Sequence, residues 1–238
     1  MRIVTWNIER HSPHSWQAQS LISEIESLGP DMVCLTEAFE SSMSSLPGHA
    51  ISVTGAKWSP QAPDERKVLV WSASSWERVE RPEALNCKGA AVAGITRLDG
   101  RPVRVAGLCL PYHAASPLGQ VPRARQWTQQ EAFLDELIEV AAVWRAEDIP
   151  VIVLGDFNQF VPRIWGSKRA SEKLMCALKG FDVVTAGLHP GYEKHAIDHV
   201  ALTRELACKA VAGLSRFDDR GKARSDHFGI VVDAEYRA

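Results

Sequence analysis

The sequence predicts an α/β chain in which helices cover the outside of two β-sheets, and three observations carry that expectation. Short runs rich in Val and Ile, bounded by Gly, Pro, Asp or Ser, recur along the whole chain and read as strands. Three segments carry helical periodicity instead. Their order is the third observation: one helix follows the first strand, a run of strands fills the middle, and one helix precedes and another follows a late apolar strand.

Taken in order, "RIVTWNI" opens the chain as a strand and Ser15 to Leu28 follows as a helix. "DMVCLTEA", "AISVTGA", "KVLVWSA", "GAAVAGITRL" and "RPVRVAGLCL" form the strand run. A long helix is expected over roughly Arg123 to Glu147. It places Phe133, Leu137, Val140, Ala141 and Trp144 at three- and four-residue steps, an apolar stripe suited to a sheet. "IPVIVLGDF" comes next, and its run Val151 to Leu154 lacks polar alternation, the mark of a strand covered on both faces. A helix over Ser171 to Lys179 and the strands "FDVVTAG", "AIDHVALT" and "HFGIVVDAEY" complete the chain.

The 238 residues contain no linker able to separate two cores, so a single domain over 1–238 is expected. With 45% hydrophobic and 24% charged residues, the composition is that of a globular protein with a sizeable core. A net charge of −2 gives no global attraction to a polyanion, so any such partner must be held by a local basic patch or a metal. The five cysteines form no CxxC pair and are odd in number, which suits reduced structural thiols. No stretch approaches about 18 uninterrupted apolar residues, and the N-terminus lacks the apolar core of a secretion signal. A cytoplasmic location without integral membrane association is therefore expected.

Polar groups gather at the strand ends. "RIVTWN" ends on Asn7, "MVCLTE" on Glu37 and "VIVLGDFN" on Asp156 and Asn158, while "RSDH" opens the last strand with Asp226 and His227. Strands of one direction would bring these ends to one edge, where open α/β sheets place ligands. Each residue alone has a structural explanation as a cap or an Asx-turn. Together the carboxylates, amides and histidine match the needs of a hard divalent cation plus a phosphate, with Glu37 the best metal ligand. In "AIDHVAL", strand alternation sends Asp198 and His199 to opposite faces. Asp198 is taken as the partner that orients His227, and His199 as packed behind the strand. His113, in "LCLPYHAASP", follows the same strand-end rule.

These residues resemble a known motif set. "TWNI", "LTEAF", "LCLPYHAASP", "GDFN", "IDH" and "SDHFG", in that order over residues 5 to 229, are similar to the motifs of the endonuclease/exonuclease/phosphatase superfamily, of DNase I-like fold. The resemblance implies a four-layer α/β/β/α sandwich of two mixed sheets flanked by helices. It implies Mg²⁺-dependent hydrolysis of phosphate esters, with Mn²⁺ as the alternative ion. Carried over residue by residue, Glu37 binds the metal with Asn7 and Asp226 near it. Asp156 and Asn158 position the water and a phosphate oxygen, and His227, paired to Asp198, acts on the phosphate or as base. His113 is similar to a second histidine proposed to protonate the leaving oxygen. Abasic-site repair members usually carry Gln before the metal Glu and Thr-Lys after it; Thr36 and Ala38 stand here, which argues against a repair role.

The expected activity is a metal-dependent phosphoesterase acting on a phosphodiester, with nucleic acid the first substrate class. Arg125 and Arg163 sit in basic loops, and Trp165 is interleaved with the second of them as a base-stacking surface. "DDRGKARSDH" forms a third basic loop. The alternative is a phosphatase or phosphodiesterase for a small molecule or lipid headgroup, favoured by the missing basic excess. A catalytically silent binding module would be marked by loss of Glu37, Asp156, Asn158 or His227, and all four are present.

Overall fold

The computed structural model of the chain describes residues 1–237. Two six-stranded mixed sheets stack face to face, with helices on their outer faces. The elements are β1 (Arg2–Asn7), α1 (Trp16–Ser27), β2 (Met32–Phe39), β3 (His49–Val53), β4 (Glu65–Ser72), β5 (Arg78–Glu80), α2 (Glu83–Asn86), β6 (Ala90–Leu98), β7 (Arg101–Cys109), α3 (Thr128–Ala146), β8 (Val151–Asp156), α4 (Lys168–Ala177), β9 (Phe181–Val183), β10 (Asp198–Thr203), β11 (Leu206–Leu214) and β12 (Gly229–Tyr236).

The first sheet runs β11-β12-β1-β2-β4-β3 and the second β5-β6-β7-β8-β10-β9. Each contains one parallel pair, β1 with β2 and β7 with β8, and antiparallel pairs elsewhere. The two sheets thus share one pattern of strand directions although the sequence shows no repeat. Parallel neighbours need a crossover, and α1 and α3 provide it on the outer faces.

Strand alternation explains the unbroken apolar runs. In β8, Ile152 and Leu154 pack between the sheets, while Val151 and Val153 pack under α3 and α4. In β2, Met32 and Cys34 face the other sheet and Val33 and Leu35 face α1. Both faces are covered, so neither face is polar. Ser15 caps α1, its Oγ accepting from the Ala18 N–H. That cap contributes about 1 kcal/mol, whereas burying Leu21 or Ile25 contributes about 1.5–3 kcal/mol each. Packing therefore holds the helix to the sheet.

Four expectations need correction. The long helix starts at Thr128 rather than Arg123, because Trp127 is left-handed at φ 69° and breaks the helical path. The helix α4 starts at Lys168, earlier than expected, because Ser167 caps it through Ala170 N–H. The strands β5 and β11 were not anticipated, nor was the short helix α2. Cys34 and Cys109 are buried as expected, but Cys87 and Cys176 are exposed. Among the described residues no helix is long and apolar enough to cross a membrane.

Candidate active site

The topology brings the polar strand ends together, though not by a common direction. β1, β2 and β8 deliver Asn7, Glu37 and Asp156 near their C-terminal ends. β10 runs antiparallel to β8 and β12 antiparallel to β1, so Asp198 opens β10 and His227 sits just before β12 at the same edge. Asp198 stands directly opposite Asp156 in the ladder. Asn7 Nδ2 donates to Asp156 Oδ2 at 3.2 Å and joins the edges of the two sheets.

The local sequence places Asp156 narrowly. Gly155 is left-handed at φ 127°, and a Cβ there would lie 2.1 Å from the Leu108 carbonyl oxygen. Only glycine lets β8 approach β7 so closely just before the carboxylate. Asp156 is buried, and its Oδ1 accepts the Asn158 N–H at 2.8 Å. Asn158 Nδ2 donates to Asp156 Oδ2 at 3.0 Å and to the Leu110 carbonyl at 2.9 Å, which uses both amide hydrogens. Asn158 thus holds Asp156 in place.

His227 Nδ1 lies 2.5 Å from Asp198 Oδ2. The loop carrying it is tied back to β1: Trp6 Nε1 donates to the His227 carbonyl at 2.9 Å, and Ser225 Oγ donates to the Asn7 carbonyl at 2.7 Å. Burial opposes charge on His227, but the Asp198 carboxylate and its hydrogen bond prevail and raise the imidazole to about 10. Burial and the facing Asp198 charge push Asp156 up to about 7, against the pull of His227. His199, on the opposite face, is buried against Thr185 Oγ1 and the Gln159 carbonyl, and burial lowers it to about 4.

These groups border an open cleft of about 340 Å³, lined in part by Asn7, Glu37, Asp156, Asn158, Asp226 and His227. Glu37 is left-handed at φ 50°, a conformation that costs of order 1–3 kcal/mol and recurs at functional sites. Its carboxylate pairs with Arg10 Nε at 3.0 Å. Asp226 is exposed, and its N–H donates to Glu9 Oε2 at 3.0 Å.

The donors suit a hard divalent cation: Glu37, Asp156 and Asp226 offer oxygens to one cleft, and Asp198 Oδ1 is buried without a hydrogen-bond partner. The tightest metal-like group among the described residues is a different one, Asp156, Asp198 and His227, with ligand atoms within 4.8 Å of one another. Within it Asp198 Oδ2 and His227 Nδ1 are hydrogen-bonded to each other, while Asp156 is held by Asn7 and Asn158.

A family model described as the Endonuclease/Exonuclease/phosphatase family matches residues 4–227. The chain belongs to this family. No curated protein matches the sequence closely enough to count as a relative. Among solved structures, D. rerio TDP2 complexed with a single-strand DNA product superposes with a TM-score of 0.69 at 16% identity, covering 99% of this chain and 98% of that one. The Neisseria 3′ phosphatase NExo, bound to a product DNA hairpin, gives 0.70 at 18% identity over 99% and 100%. The mannosyl-6-phosphatase Bt3783 of Bacteroides thetaiotaomicron gives 0.69 at 12% identity over 99% and 100%. At such identities the likeness speaks to the shared DNase I-like sandwich.

Other expected residues of this family member lie outside the cleft lining. His113 packs with Trp127 and Trp165, ring centroids 5.7 and 5.4 Å away, and its neighbour Tyr112 reaches the cleft instead. Trp165 is 59% exposed, and Arg125 and Arg163 lie on exposed loops. Arg163 Nη1 donates to the Gly166 carbonyl at 3.2 Å. In the third basic loop Arg224 is buried and pairs with Glu24 at 2.6 Å, a strut to α1.

The cleft also contains Glu9, Arg10, Ser59 and Lys67, which nothing in the sequence singles out, together with Trp58 and Tyr112. Lys67 is 5% exposed, and its Nζ lies over the Trp58 ring, 3.9 Å from the centroid. Burial lowers its pKa. Burying an ammonium costs several kcal/mol, of which a Trp face returns about 0.5–2 kcal/mol.

Proposed function

We propose that the chain is a divalent-metal-dependent phosphoesterase that hydrolyses phosphodiester bonds, with nucleic acid the first substrate class. The observation that carries this reading is the cluster of Asp156, Asp198 and His227, of which Asp156 and His227 line the same cleft as Glu37. A buried imidazole kept charged and a buried carboxylate titrating near neutrality are the groups that a phosphoryl transfer to water requires.

Glu37, with Asn7 and Asp226 beside it, holds Mg²⁺ or Mn²⁺, which when bound supplies Lewis-acid stabilisation of the phosphoryl oxygens. Asp198 accepts the Nδ1 proton of His227 in a hydrogen bond and keeps the ring cationic. The Nε2–H of His227 is then free to donate to a phosphoryl oxygen as negative charge develops there. A base at neutral pH must be unprotonated, so Asp156 and not His227 takes the proton of the attacking water. Asn158 and Asn7 orient that carboxylate through its Oδ2. His113, Trp165, Arg125 and Arg163 flank the substrate path as stacking and charged surface.

A second reading is favoured by the cleft's walls. Trp58, Tyr112 and Lys67 bound a space of about 340 Å³, which suits a small phosphate ester. Turnover of bis-p-nitrophenyl phosphate and p-nitrophenyl phosphate with Mg²⁺, with Mn²⁺ and with chelator separates the two. Metal-dependent cleavage of the diester supports the proposal. Cleavage of the monoester alone would replace it with the phosphatase reading, and chelator-resistant cleavage would remove the metal from it.

A further inference from the structure

The charges lining the cleft do not pair off evenly. Glu37 interrupts the β2–β4 ladder: Thr36 pairs with Val68 and Ala38 with Arg66, leaving Glu37 and Lys67 without partners in the register. The break lets both side chains line the cleft, yet Glu37 turns its carboxylate to Arg10. Lys67 is left with the Trp58 ring as its neighbour, and its Nζ makes none of the hydrogen bonds or ion pairs found among the described residues. Trp58 Nε1 is buried without a hydrogen-bond partner.

A structural lysine in a sheet would extend its stem over the surface and keep its ammonium in water. This one is 95% withdrawn from solvent and lines the cleft. The Glu37 and Glu65 charges act on Lys67 without an ion-pair contact, and an aromatic face accepts no strong hydrogen bond, so the ammonium keeps its donors for an anion that enters the cleft from outside the chain. The Arg10 guanidinium stands at the same wall and retains donors beyond the Nε engaged by Glu37.

We propose that Lys67, with Arg10 and Trp58, forms an anion subsite beside the reacting phosphate, and that the preferred substrate carries a second phosphoryl group next to the one cleaved. The inference rests on the phosphoesterase reading for the word substrate, and the subsite itself is testable without turnover. The second phosphoryl group is either the neighbouring phosphate of a polynucleotide strand or the second phosphate of an anhydride. Both present a second phosphoryl anion, joined through one bridging oxygen in the anhydride and through the sugar in the strand.

The test is calorimetric titration of the full chain in chelator with inorganic pyrophosphate and with inorganic phosphate, for wild type, Lys67→Met and Lys67→Arg. Lys67→Met keeps an unbranched apolar stem one atom shorter and removes the buried ammonium. Wild type is expected to bind pyrophosphate at least ~10-fold more tightly than phosphate, a difference that Lys67→Met abolishes and Lys67→Arg largely retains, as expected for one charge-assisted contact. Equal affinities in wild type, or an unchanged pyrophosphate affinity in Lys67→Met, overturn the subsite. Turnover then identifies the source: thymidine 5′-(p-nitrophenyl phosphate) is compared with its 3′-phosphorylated form and with thymidine 5′-(p-nitrophenyl diphosphate). A lower KM for the 3′-phosphorylated compound in wild type but not in Lys67→Met assigns the strand, and for the diphosphate the anhydride. Absence of all turnover refutes the hydrolase reading, while the calorimetry still decides the subsite.

Discussion

Replacing Asp198 with Asn removes one charge and little volume from the most constrained part of the site, and its effect has a definite pH signature. Asp198 Oδ2 lies 2.5 Å from His227 Nδ1, and its charge and hydrogen bond offset burial to raise the imidazole from 6.5 to about 10. That rise corresponds to roughly 5 kcal/mol of preference for the charged ring. An adjacent opposite charge supplies about 1–3 pH units, so Asp198→Asn is expected to bring His227 down to about 7. At pH 8.5 the cationic fraction then falls about thirty-fold, whereas at pH 6 both proteins are more than about nine-tenths protonated. Loss of the Asp198 charge also lowers Asp156, which enriches its basic form on the acid side. The wild-type to mutant ratio of kcat/KM is therefore expected to grow by at least ~30-fold between pH 6 and pH 8.5. The assay is the pH–rate profile on bis-p-nitrophenyl phosphate, with His227 titrated by NMR in metal-free protein. A constant ratio across that range, or an unmoved His227 titration, would refute the coupling.

Three further outcomes are expected. Asp156 is raised from 3.8 to about 7, so its protonated form is favoured by folding: the native state gains from it below pH 3.8 and loses that gain as pH rises to about 7. Asp156→Asn should accordingly abolish activity, and its stability relative to wild type in chelator should rise by about 2–4 kcal/mol between pH 4 and pH 8; denaturant melts that stay parallel with pH would exclude the buried charge. Glu37→Gln should raise the metal concentration at half-maximal activity at least ~10-fold, and an unchanged metal titration removes Glu37 from the metal. Gly155→Ala places a Cβ 2.1 Å from the Leu108 carbonyl oxygen and should cost at least ~3 kcal/mol. An unperturbed melt would show that the close β7–β8 approach is not required.

Much of the sandwich was legible because its central strands are apolar on both faces and its helices keep a stripe, as β8 and α3 do. What escaped notice lacked those signals. β11 reads "LACKAVAGL", where Ala, Gly and Lys have low strand propensity, and it becomes a strand by pairing along β12 at the sheet edge. β5 spans three residues, too few for any period. The start of α3 was misplaced because Arg123 to Gln126 include good helix formers, while the left-handed Trp127 is a tertiary choice. In the site, Asn7, Glu37, Asp156, Asp198 and His227 announce themselves as polar ends of apolar strands. Lys67 could not, since a charged residue in a strand ordinarily marks a solvated face, and the ladder break that turns it inward is visible only in three dimensions. Arg10 and Trp58 sit in loops whose path the sequence leaves open.

The most direct test of the central claim is cleavage of bis-p-nitrophenyl phosphate by wild type, His227→Ala and Asp156→Asn, with Mg²⁺ and with chelator, at matched circular dichroism. The account predicts metal-dependent cleavage in wild type and at least a ~100-fold loss in each folded variant. Chelator-resistant cleavage, or a folded variant with wild-type turnover, would contradict it.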